Sequence, residues 1–318
     1  MILAFDIKEV APDIFQIDDE VVGVPGLGAV YLVNEDRKAL VDCGPTSSAD
    51  TVIRALKSLG VKPEEIDYII VSHVHLDHAG GAGKLLESMP RAKVVVHRRG
   101  AKHLEDPEKL VASATIAQGI EIINRYGRVV PVAASRLWPV VGGESIPLGD
   151  SQTLKIIEAP GHAPHELCVS ERYGGVFVGD TFGLYFEDSG RHAVIQVHPP
   201  PSLDIEVCLE TVEKIKDLRP ERLYFAHFGT ASQAGEVIGE ITRQLHGYLK
   251  LAQDAVSRGR LDGLEKVLRE RITRELEPLK GKLALYQFVW DYLVSAFVEG
   301  FLEYCRKKQK SMIVGEVK

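Results

Sequence analysis

The sequence predicts an α/β protein: two mixed β-sheets pack face to face, helices cover their outer faces, and a helical extension follows. The prediction rests on three observations. Strand-like and helix-like segments alternate in two successive halves of the chain, an order that suits a layered α/β architecture. Metal-binding side chains directly follow several short apolar runs, which are typical of buried strands. After about residue 232 the strand patterns stop and only helical patterns remain.

The first half starts with short apolar runs at residues 14–17, 29–33 and 39–41, separated by glycine, asparagine and charged residues. Such spacing favours an antiparallel start to the first sheet. Residues 48–59 carry apolar side chains at helical spacing and are followed by Gly60. Because glycine adopts the left-handed conformation common after a helix end, we predict a helix that ends there.

The rest of the first half alternates between the two kinds of element. Residues 68–71 predict a buried strand, and a helix follows from about residue 79 to residue 87. Residues 94–96 predict another strand, and residues 112–125 another helix. Residues 138–149 are rich in proline and glycine, so we predict loop and turn there.

In the second half, strand patterns return between residues 153 and 228 and are interrupted by a helix over 204–218. We predict a catalytic domain over residues 1–231 and a helical extension over 232–318 that packs on it. The helices of the extension are predicted at residues 233–258, 261–276 and 283–308.

The last predicted helix carries an apolar and aromatic stripe that includes Leu285, Phe288, Trp290, Tyr292 and Phe297. We interpret this stripe as the surface that packs on the catalytic domain. A homodimer contact through the C-terminal helices and a wall over the active site are the two alternatives.

Charge and hydropathy argue against two classes of partner. The 318 residues carry a formal net charge of −7, which disfavours a surface that neutralises nucleic-acid phosphates. No apolar stretch has the length that a membrane-spanning helix needs, and residues 1–10 lack the apolar core of an export signal. We therefore expect neither a nucleic-acid partner nor a membrane.

The four cysteines are dispersed along the chain and form no CxxC pair. This pattern favours reduced, buried thiols over disulfides or a thiolate metal site, and it predicts a cytoplasmic protein. Asparagine occurs only at Asn34 and Asn124, and such scarcity of thermolabile amides hints at a thermophilic source.

The segment His73-Val74-His75-Leu76-Asp77-His78 directly follows a predicted strand. Three imidazoles and a carboxylate in six residues have little structural purpose without a cation. In an extended segment residues i and i+2 project to the same side, so His73 and His75 can hold one ion together. His162, at the end of another predicted strand, would complete a three-histidine set suited to zinc.

Asp77 and His78 lie where the chain turns into the next helix, so their side chains point elsewhere. With His227, at a further strand end, they can hold a second ion. Asp180 offers two carboxylate oxygens and is suited to bridging both metals. The expected centre is a pair of divalent ions roughly 3.5–4 Å apart, sharing a water whose pKa falls to about 7.

Five segments occur in a recognisable order: Val41-Asp42-Cys43-Gly44, SHVHLDHAGG at 72–81, Ala159-Pro160-Gly161-His162, Gly179-Asp180 and Ala226-His227-Phe228-Gly229. With the strands around them they resemble the metallo-β-lactamase superfamily over about residues 10 to 230. The fold of that superfamily is a four-layer αβ/βα sandwich with a metal site at one edge. Within it the chain is similar to hydrolases related to hydroxyacylglutathione hydrolase, particularly archaeal and thermophilic members.

The resemblance implies the same ligand assignment: a first metal on His73, His75 and His162, and a second on Asp77, His78 and His227. Asp180 would bridge them. Asp42 falls in the first of the five segments, and we expect its carboxylate to orient a ligand histidine through hydrogen bonds.

Differences between this sequence and other branches of the superfamily reduce the number of functions that we expect. The HxHxDH form, in place of HxExD, argues against an oxygen-reducing flavin partner. No insertion of about a hundred residues, as in RNA-processing members, separates Asp180 from His227. The C-terminal helices lack an obvious Arg/Lys-plus-Tyr arrangement for a glutathione tail, which argues against hydroxyacylglutathione as substrate. Antibiotic hydrolysis is also not expected, because no export signal precedes the domain.

Three further residues are candidates for a substrate pocket: His165, Tyr185 and His198. His165 follows His162 closely, but a surface or core histidine is as good an interpretation. Tyr185 follows Asp180 and has a phenol that suits a substrate hydrogen bond, although ordinary packing is the simpler explanation. His198 precedes three prolines that stiffen its loop, which serves a pocket or a plain linker equally well.

The sequence therefore predicts a cytoplasmic binuclear metal-dependent hydrolase. Its bridging hydroxide would attack an ester, thioester, lactone or phosphodiester of a small molecule, and Asp77 would be catalytic by orienting that hydroxide. Zinc is the favoured ion, while iron, manganese, cobalt and nickel suit the same ligands. The alternatives are a mononuclear iron oxygenase acting on persulfide, a nuclease, and a metal-stabilised interaction protein without catalysis.

Overall fold

A computed structural model describes residues 6–188 and 190–315 of the chain. Residues 1–5, on which the expected lack of an export signal partly depends, lie outside the described residues. Two mixed β-sheets lie face to face with helices on both outer faces, and helices alone follow residue 231. The predicted fold class is therefore confirmed.

The first sheet has seven strands in chain order. Its first four strands are antiparallel to one another, and the remaining three join in parallel. The strands are β1 (Ile7–Ala11), β2 (Ile14–Asp18), β3 (Ala29–Asn34), β4 (Lys38–Val41), β5 (Ile66–Ile70), β6 (Lys93–His97) and β7 (Leu137–Val140).

The second sheet has six strands in the order β15-β14-β11-β10-β9-β8, and only the β11–β14 pair is parallel. A separate antiparallel hairpin consists of β12 (Leu184–Asp188) and β13 (Arg191–Ile195). The strands of the second sheet are β8 (Ser145–Pro147), β9 (Thr153–Glu158), β10 (Leu167–Ser170), β11 (Gly175–Val178), β14 (Arg222–Phe225) and β15 (Gly229–Ala231).

Seven helices belong to the region of the two sheets, and the others follow it. The first group is α1 (Ala49–Ser58), α2 (Leu76–Ala79), α3 (Ala82–Leu86), α4 (Ala101–Glu105), α5 (Glu108–Gln118), α6 (Ile120–Tyr126) and α7 (Ile205–Asp217). The second group is α8 (Ala234–Ser257), α9 (Leu264–Glu275), α10 (Leu283–Phe288) and α11 (Val294–Gly315), with a π-helical segment, Val289–Leu293, between the last two.

Three buried clusters hold these layers together. Between the sheets, Ile14 and Val95 pack with Phe177 in one cluster. Outside the first sheet, α1 contributes Val52 and similar side chains to a second cluster. The third cluster covers the second sheet and includes α7, α8 and the C-terminal helices. Burial of apolar surface on both faces of each sheet explains why their strands read as short apolar runs.

Two sequence predictions about elements are wrong in detail. The loop predicted over residues 138–149 contains most of β7 and all of β8. Both are edge strands, where Pro139 and Pro147 are tolerated because one side of the strand needs no ladder hydrogen bonds. The helix predicted over 112–125 is two helices, α5 and α6, separated by Gly119 with φ 89°.

The apolar stripe of the C-terminal helices is buried against the rest of the chain. Val289, Phe297 and Phe301 belong to the same cluster as Val212 of α7 and Leu245 of α8. The domain boundary at residue 231 stays a prediction, as does the homodimer. None of the described helices combines the length and apolarity that crossing a bilayer requires.

Candidate metal centre

The seven predicted ligands lie together at one edge of the sandwich, because each follows a strand or begins the helix after one. His73 and His75 follow β5, while Asp77 and His78 lie in α2. His162 follows β9, Asp180 follows β11 and His227 follows β14. Since β11 and β14 are parallel neighbours, Asp180 and His227 emerge side by side.

One triad consists of three imidazoles. His73 Nε2 lies 2.8 Å from His75 Nδ1, and His162 Nε2 lies 3.0 Å from the same His75 nitrogen. Two ligands bound at 2.0–2.1 Å to a tetrahedral zinc ion lie roughly 3.3 Å apart. The three nitrogens therefore have almost the separation that a shared ion imposes.

The second triad is Asp77, His78 and His227, whose ligand atoms lie within 4.8 Å of one another. Asp77 Oδ2 is 3.8 Å from His78 Nε2 and 3.5 Å from His227 Nε2. Asp180 Oδ2 lies between the triads: it is 3.4 Å from His78 Nε2, 3.7 Å from His162 Nε2 and 3.5 Å from His227 Nε2. One carboxylate thus reaches both sets of histidines.

The donor set fits metal ions by its chemistry and by its unmet hydrogen bonds. His78 Nε2 and Asp180 Oδ1 are buried and have no hydrogen-bond partner among the described residues. A buried polar atom without a partner costs about 1–3 kcal/mol. Imidazole nitrogen and carboxylate oxygen are ligands for zinc and similar divalent ions, so a cation at the centre would satisfy both atoms.

Backbone carbonyls fix the orientation of two of the histidines. His162 Nδ1–H donates to the Val197 carbonyl at 3.1 Å, and His227 Nδ1–H donates to the Leu27 carbonyl at 3.0 Å. With a proton held on Nδ1, Nε2 is the nitrogen that faces the cluster and would bind a metal ion. Such a partner behind a ligand is typical of metal-binding histidines.

Asp42 lies behind the cluster and hydrogen-bonds to residues next to or within it. Its Oδ1 accepts from the Ser72 backbone N–H at 2.7 Å, and its Oδ2 accepts from the Ser72 hydroxyl at 2.9 Å. The same Oδ2 lies 3.1 Å from His78 Nδ1, which donates to it. The Ser72 hydroxyl in turn lies 3.1 Å from His73 Nδ1, so Asp42 acts on histidines of both triads.

Electrostatics differ between the two triads. Burial lowers the pKa of His75 and of His162 to about 3, so both are neutral at pH 7 and their lone pairs are available. Burial also disfavours the charged form of His227, but the Asp180 carboxylate outweighs it and raises the pKa of His227 to about 10. Near His227 the site thus favours positive charge, which a bound cation would supply.

Two residues that support the cluster were missed by the sequence analysis. The Thr181 hydroxyl accepts from the His162 backbone N–H at 3.1 Å and donates to Glu166 Oε2 at 2.7 Å. The Thr181 N–H donates to Glu166 Oε1 at 2.8 Å. Burial and the charge of Asp180 raise the pKa of Glu166 to about 8. The sequence offered one sign of this support: the acidic residue Glu166 stands directly before the apolar run 167–169.

Comparison with known proteins settles the family. Residues 23–227, more than half of the chain, match the profile of the metallo-beta-lactamase superfamily. The chain belongs to this superfamily. Members of the superfamily are mostly metal-dependent hydrolases, and the clustered histidines and aspartates of this chain are able to bind metal ions.

Among proteins with related sequences, the metallo-beta-lactamase fold-containing protein ST1585 of Sulfurisphaera tokodaii is 29% identical over 216 residues, which cover 66% of this chain and 76% of that protein. Its crystal structure matches 73% of this chain and 85% of its own, at 26% identity and a TM-score of 0.62. An N-acyl homoserine lactonase from Bacillus sp is 22% identical over 183 residues, 57% of this chain and 62% of the lactonase.

A second solved structure extends the similarity in fold beyond the superfamily profile. The metallo-beta-lactamase family protein TTHA1429 from Thermus thermophilus has a TM-score of 0.65 and 20% identity. The match covers 94% of this chain and 95% of that one, so it reaches into the C-terminal helices.

The three predicted pocket residues do not line the cavity in front of the cluster. Tyr185 stacks on Phe225 and His192, with ring centroids 5.0 and 5.5 Å away, and lines a separate cavity of about 160 Å³. His198 is buried behind His162, with their Nδ1 atoms 3.3 Å apart. Tyr185 thus faces the other side of its strand from Leu184, and His198 is turned inward, so the pocket role of both residues stays a prediction.

His165 also lies outside that cavity. Its ring centroid is 6.3 Å from that of His73 and 6.1 Å from that of His75. Its Nδ1 is buried without a hydrogen-bond partner among the described residues, and burial lowers its pKa to about 3. His165 therefore lies beside the three-histidine triad, and its role in a substrate pocket stays a prediction.

The cavity that does face the cluster is about 30 Å³ and is bounded partly by the C-terminal helices. A larger cavity of about 720 Å³ next to α5 and α6 contains none of the seven ligands. Apart from five ligands, the smaller cavity is lined by Gln118, Ile122, Tyr126, Leu184, Val197, Pro199, Phe288, Tyr292, Leu293 and Ala296. Few of these lining residues could be predicted from the sequence, because they come from four separate regions of the chain.

Proposed function

We propose that this protein is a hydrolase that uses two divalent metal ions to cleave an ester, thioester, lactone or phosphodiester bond in a small molecule. The observation that carries the proposal is the position of Asp180. Its Oδ2 lies within 3.7 Å of histidine nitrogens from both triads. A carboxylate in that position is suited to hold two ions at the spacing that binuclear hydrolases use.

In this proposal His73, His75 and His162 hold one ion, and Asp77, His78 and His227 hold the other, with Asp180 shared. The ions would supply Lewis acidity and a water-derived nucleophile at neutral pH. The chain supplies position: backbone carbonyls orient His162 and His227, and Asp42 orients His78.

Asp77 has a second role in the proposal, as the residue that orients the nucleophile. It is one of the ligands that line the cavity, so its carboxylate faces the space where a substrate would lie. Its Oδ2 is 3.5 Å from His227 Nε2, which keeps the carboxylate at the centre of the second triad. A carboxylate held there can accept a proton or a hydrogen bond from an attacking water.

Zinc is the ion we favour, because imidazole and carboxylate are its common ligands in catalytic sites. The same donor set accepts iron, manganese, cobalt or nickel, and affinity order alone does not decide occupancy in a cell. A cytoplasmic location is part of the proposal and is supported by four cysteines that are all free and buried.

Metal analysis followed by a substrate panel tests the proposal. Protein loaded separately with each candidate metal is assayed on esters, thioesters, lactones and a phosphodiester. We expect hydrolysis of at least one class, and loss of turnover together with loss of bound metal in His75→Ala and Asp180→Ala. Asp150→Asn, which changes an exposed carboxylate, is the control. A fully active Asp180→Ala protein would refute the shared role, and a folded, metal-loaded protein inactive on the whole panel would refute the hydrolase.

A further inference from the structure

The cavity in front of the cluster has two chemically different sides. One side carries ligands, among them Asp77 and Asp180. The rest of the lining is free of ligands and includes Phe288, Tyr292, Leu293 and Ala296 of the C-terminal helices, which we call the C-terminal wall; the other non-ligand residues come from α5, α6 and residues 184–199. These four residues lie beyond residue 227, where the superfamily match ends. The wall is therefore a feature that the superfamily profile does not describe.

The C-terminal wall offers apolar surface and no cation. Phe288 is 7% exposed, and its ring centroid lies 5.0 Å from that of Tyr292. Ala296 is 7% exposed, and Leu293 is half-buried. Among the described residues that line the cavity there is neither lysine nor arginine. An anionic substrate tail would lose its water there without gaining a cationic partner, which is costly.

The cavity in the described conformation is smaller than a substrate. A cavity of about 30 Å³ has room for about one water molecule. Three of the four wall residues lie in or beside the π-helical segment Val289–Leu293. π-helical turns are rare and are frequent at functional sites, since they interrupt the regular hydrogen-bond ladder. Tyr292, at 36% exposure, is the exposed member of the wall and marks its outer edge.

We propose that the C-terminal wall binds the non-reacting part of the substrate and selects an uncharged, apolar chain there. The proposal rests on the proposed hydrolase function and names its substrate class: acyl compounds with an alkyl or similar apolar chain. The chain packs against Phe288, Tyr292 and Leu293 while the bond to be cleaved faces Asp77 and Asp180.

A chain-length series tests the selection. The metal-loaded full-length protein is assayed with 4-nitrophenyl acetate, butyrate, pentanoate, hexanoate and octanoate, and with 4-nitrophenyl hydrogen glutarate. Each methylene buried against the wall should raise kcat/KM about two- to fourfold, because a fully buried methylene corresponds to about fourfold. 4-Nitrophenyl hydrogen glutarate should be at least about tenfold poorer than the pentanoate. A flat series, or a preference for the glutarate, would overturn the proposal.

Variants in the wall separate selection from a general loss of activity. Tyr292→Ala should lower the octanoate-to-acetate ratio of kcat/KM, because the chain loses its aromatic contact. Leu293→Arg should raise the glutarate-to-pentanoate ratio at least about tenfold, a gain that misfolding cannot produce. Glu299→Ala changes an exposed side chain on α11, directly after the π-helical segment, and should leave both ratios unchanged. Unchanged ratios in Tyr292→Ala and Leu293→Arg would contradict the assignment.

A binding measurement distinguishes failure of this proposal from failure of the hydrolase. Calorimetry compares N-methyloctanamide with N-methylbutanamide, neither of which needs to be cleaved. Tighter binding of the longer amide, weakened by Tyr292→Ala, supports the wall even if no ester is hydrolysed. If the two amides bind equally and ester hydrolysis does not depend on chain length, the proposed hydrolase function is supported and the proposed role of the C-terminal wall is contradicted.

Discussion

At the scale of single residues, the centre depends on protons being in defined places. His162 and His227 keep their protons on Nδ1 because a carbonyl accepts each one, so both Nε2 atoms face the cluster. His78 is held the same way by a carboxylate, Asp42 Oδ2. Loss of such a partner typically weakens metal binding 10–100-fold without removing a ligand.

Asp42→Asn tests this support directly. The amide keeps the size of the side chain and one acceptor for the Ser72 N–H, but it cannot accept from both the Ser72 hydroxyl and His78 Nδ1. We expect metal affinity to fall about 10–100-fold, with the fold retained. Competition with a chelator measures the affinity, and Asp150→Asn is the matched exposed control. An unchanged affinity would show that Asp42 does not orient the ligand.

The clustering of the seven candidate ligands could be predicted from sequence because each one lies near a local signal. His73, His75, Asp77 and His78 fall within six residues. His227 and Asp180 follow short apolar runs at once or after one glycine, and His162 follows one after a short loop. The pocket residues could not be predicted in the same way. Tyr185 follows Asp180 closely, yet its ring points to Phe225 and His192, because neighbouring positions of a strand face opposite sides.

At the scale of elements, the edge strands and the C-terminal helices were the hardest to interpret. Pro139 and Pro147 suppress the strand signal at residues 138–149, although an edge strand accepts proline. The stripe on the last helices predicts a packing surface, with a wall over the active site as an alternative. Phe297 is buried as packing surface, whereas Phe288 and Tyr292 reach the cavity.

The C-terminal helices also support the loop behind His162. A side-chain carbon at Gly300 of α11 would overlap the carbonyl oxygen of His198. Only glycine, which has no side chain, therefore allows this helix to lie so close to the loop. The adjacent Val197 carbonyl accepts the hydrogen bond from His162 Nδ1. The packing of α11 therefore affects the orientation of the candidate ligand His162. The first contact is between Gly300 and the His198 carbonyl, and the second is the hydrogen bond from His162 to the Val197 carbonyl.

Gly300→Ala tests that connection at the level of the element. The added methyl group must push α11 or the loop away, and overpacking of this kind costs about 1–3 kcal/mol of unfolding free energy. We expect a lower Tm and weaker metal binding. Gly235→Ala makes the same substitution in α8, where no atom lies within 4 Å, and should leave both properties close to those of the parent protein. Equal behaviour of the two variants would contradict the contact.

At the scale of the whole molecule, the proposed metal ions join the two halves of the sandwich. His73, His75, Asp77 and His78 come from the half built on the first sheet, while His162, Asp180 and His227 come from the second half. Each triad contains residues from both halves. Ions bound there would stabilise the sandwich, because they bind only when both halves are in place.

Metal removal should therefore lower the thermal stability of the whole chain. An ion present at 100 times its Kd contributes about 2.7 kcal/mol, which corresponds to a Tm change of about 4 °C for a chain of this length. Differential scanning fluorimetry before and after chelation, and after metal is returned, measures the shift. Asp180→Ala should show a much smaller response. An unchanged Tm after verified metal removal would show that the ions do not join the halves.

The most direct test of the central claim is an anomalous difference map, recorded at the zinc absorption edge from a crystal of the zinc-loaded protein. We predict two peaks roughly 3.5–4 Å apart, one at each triad, with the Asp180 carboxylate between them. A single peak at one triad, or peaks only outside the seven side chains, would contradict a shared two-metal centre.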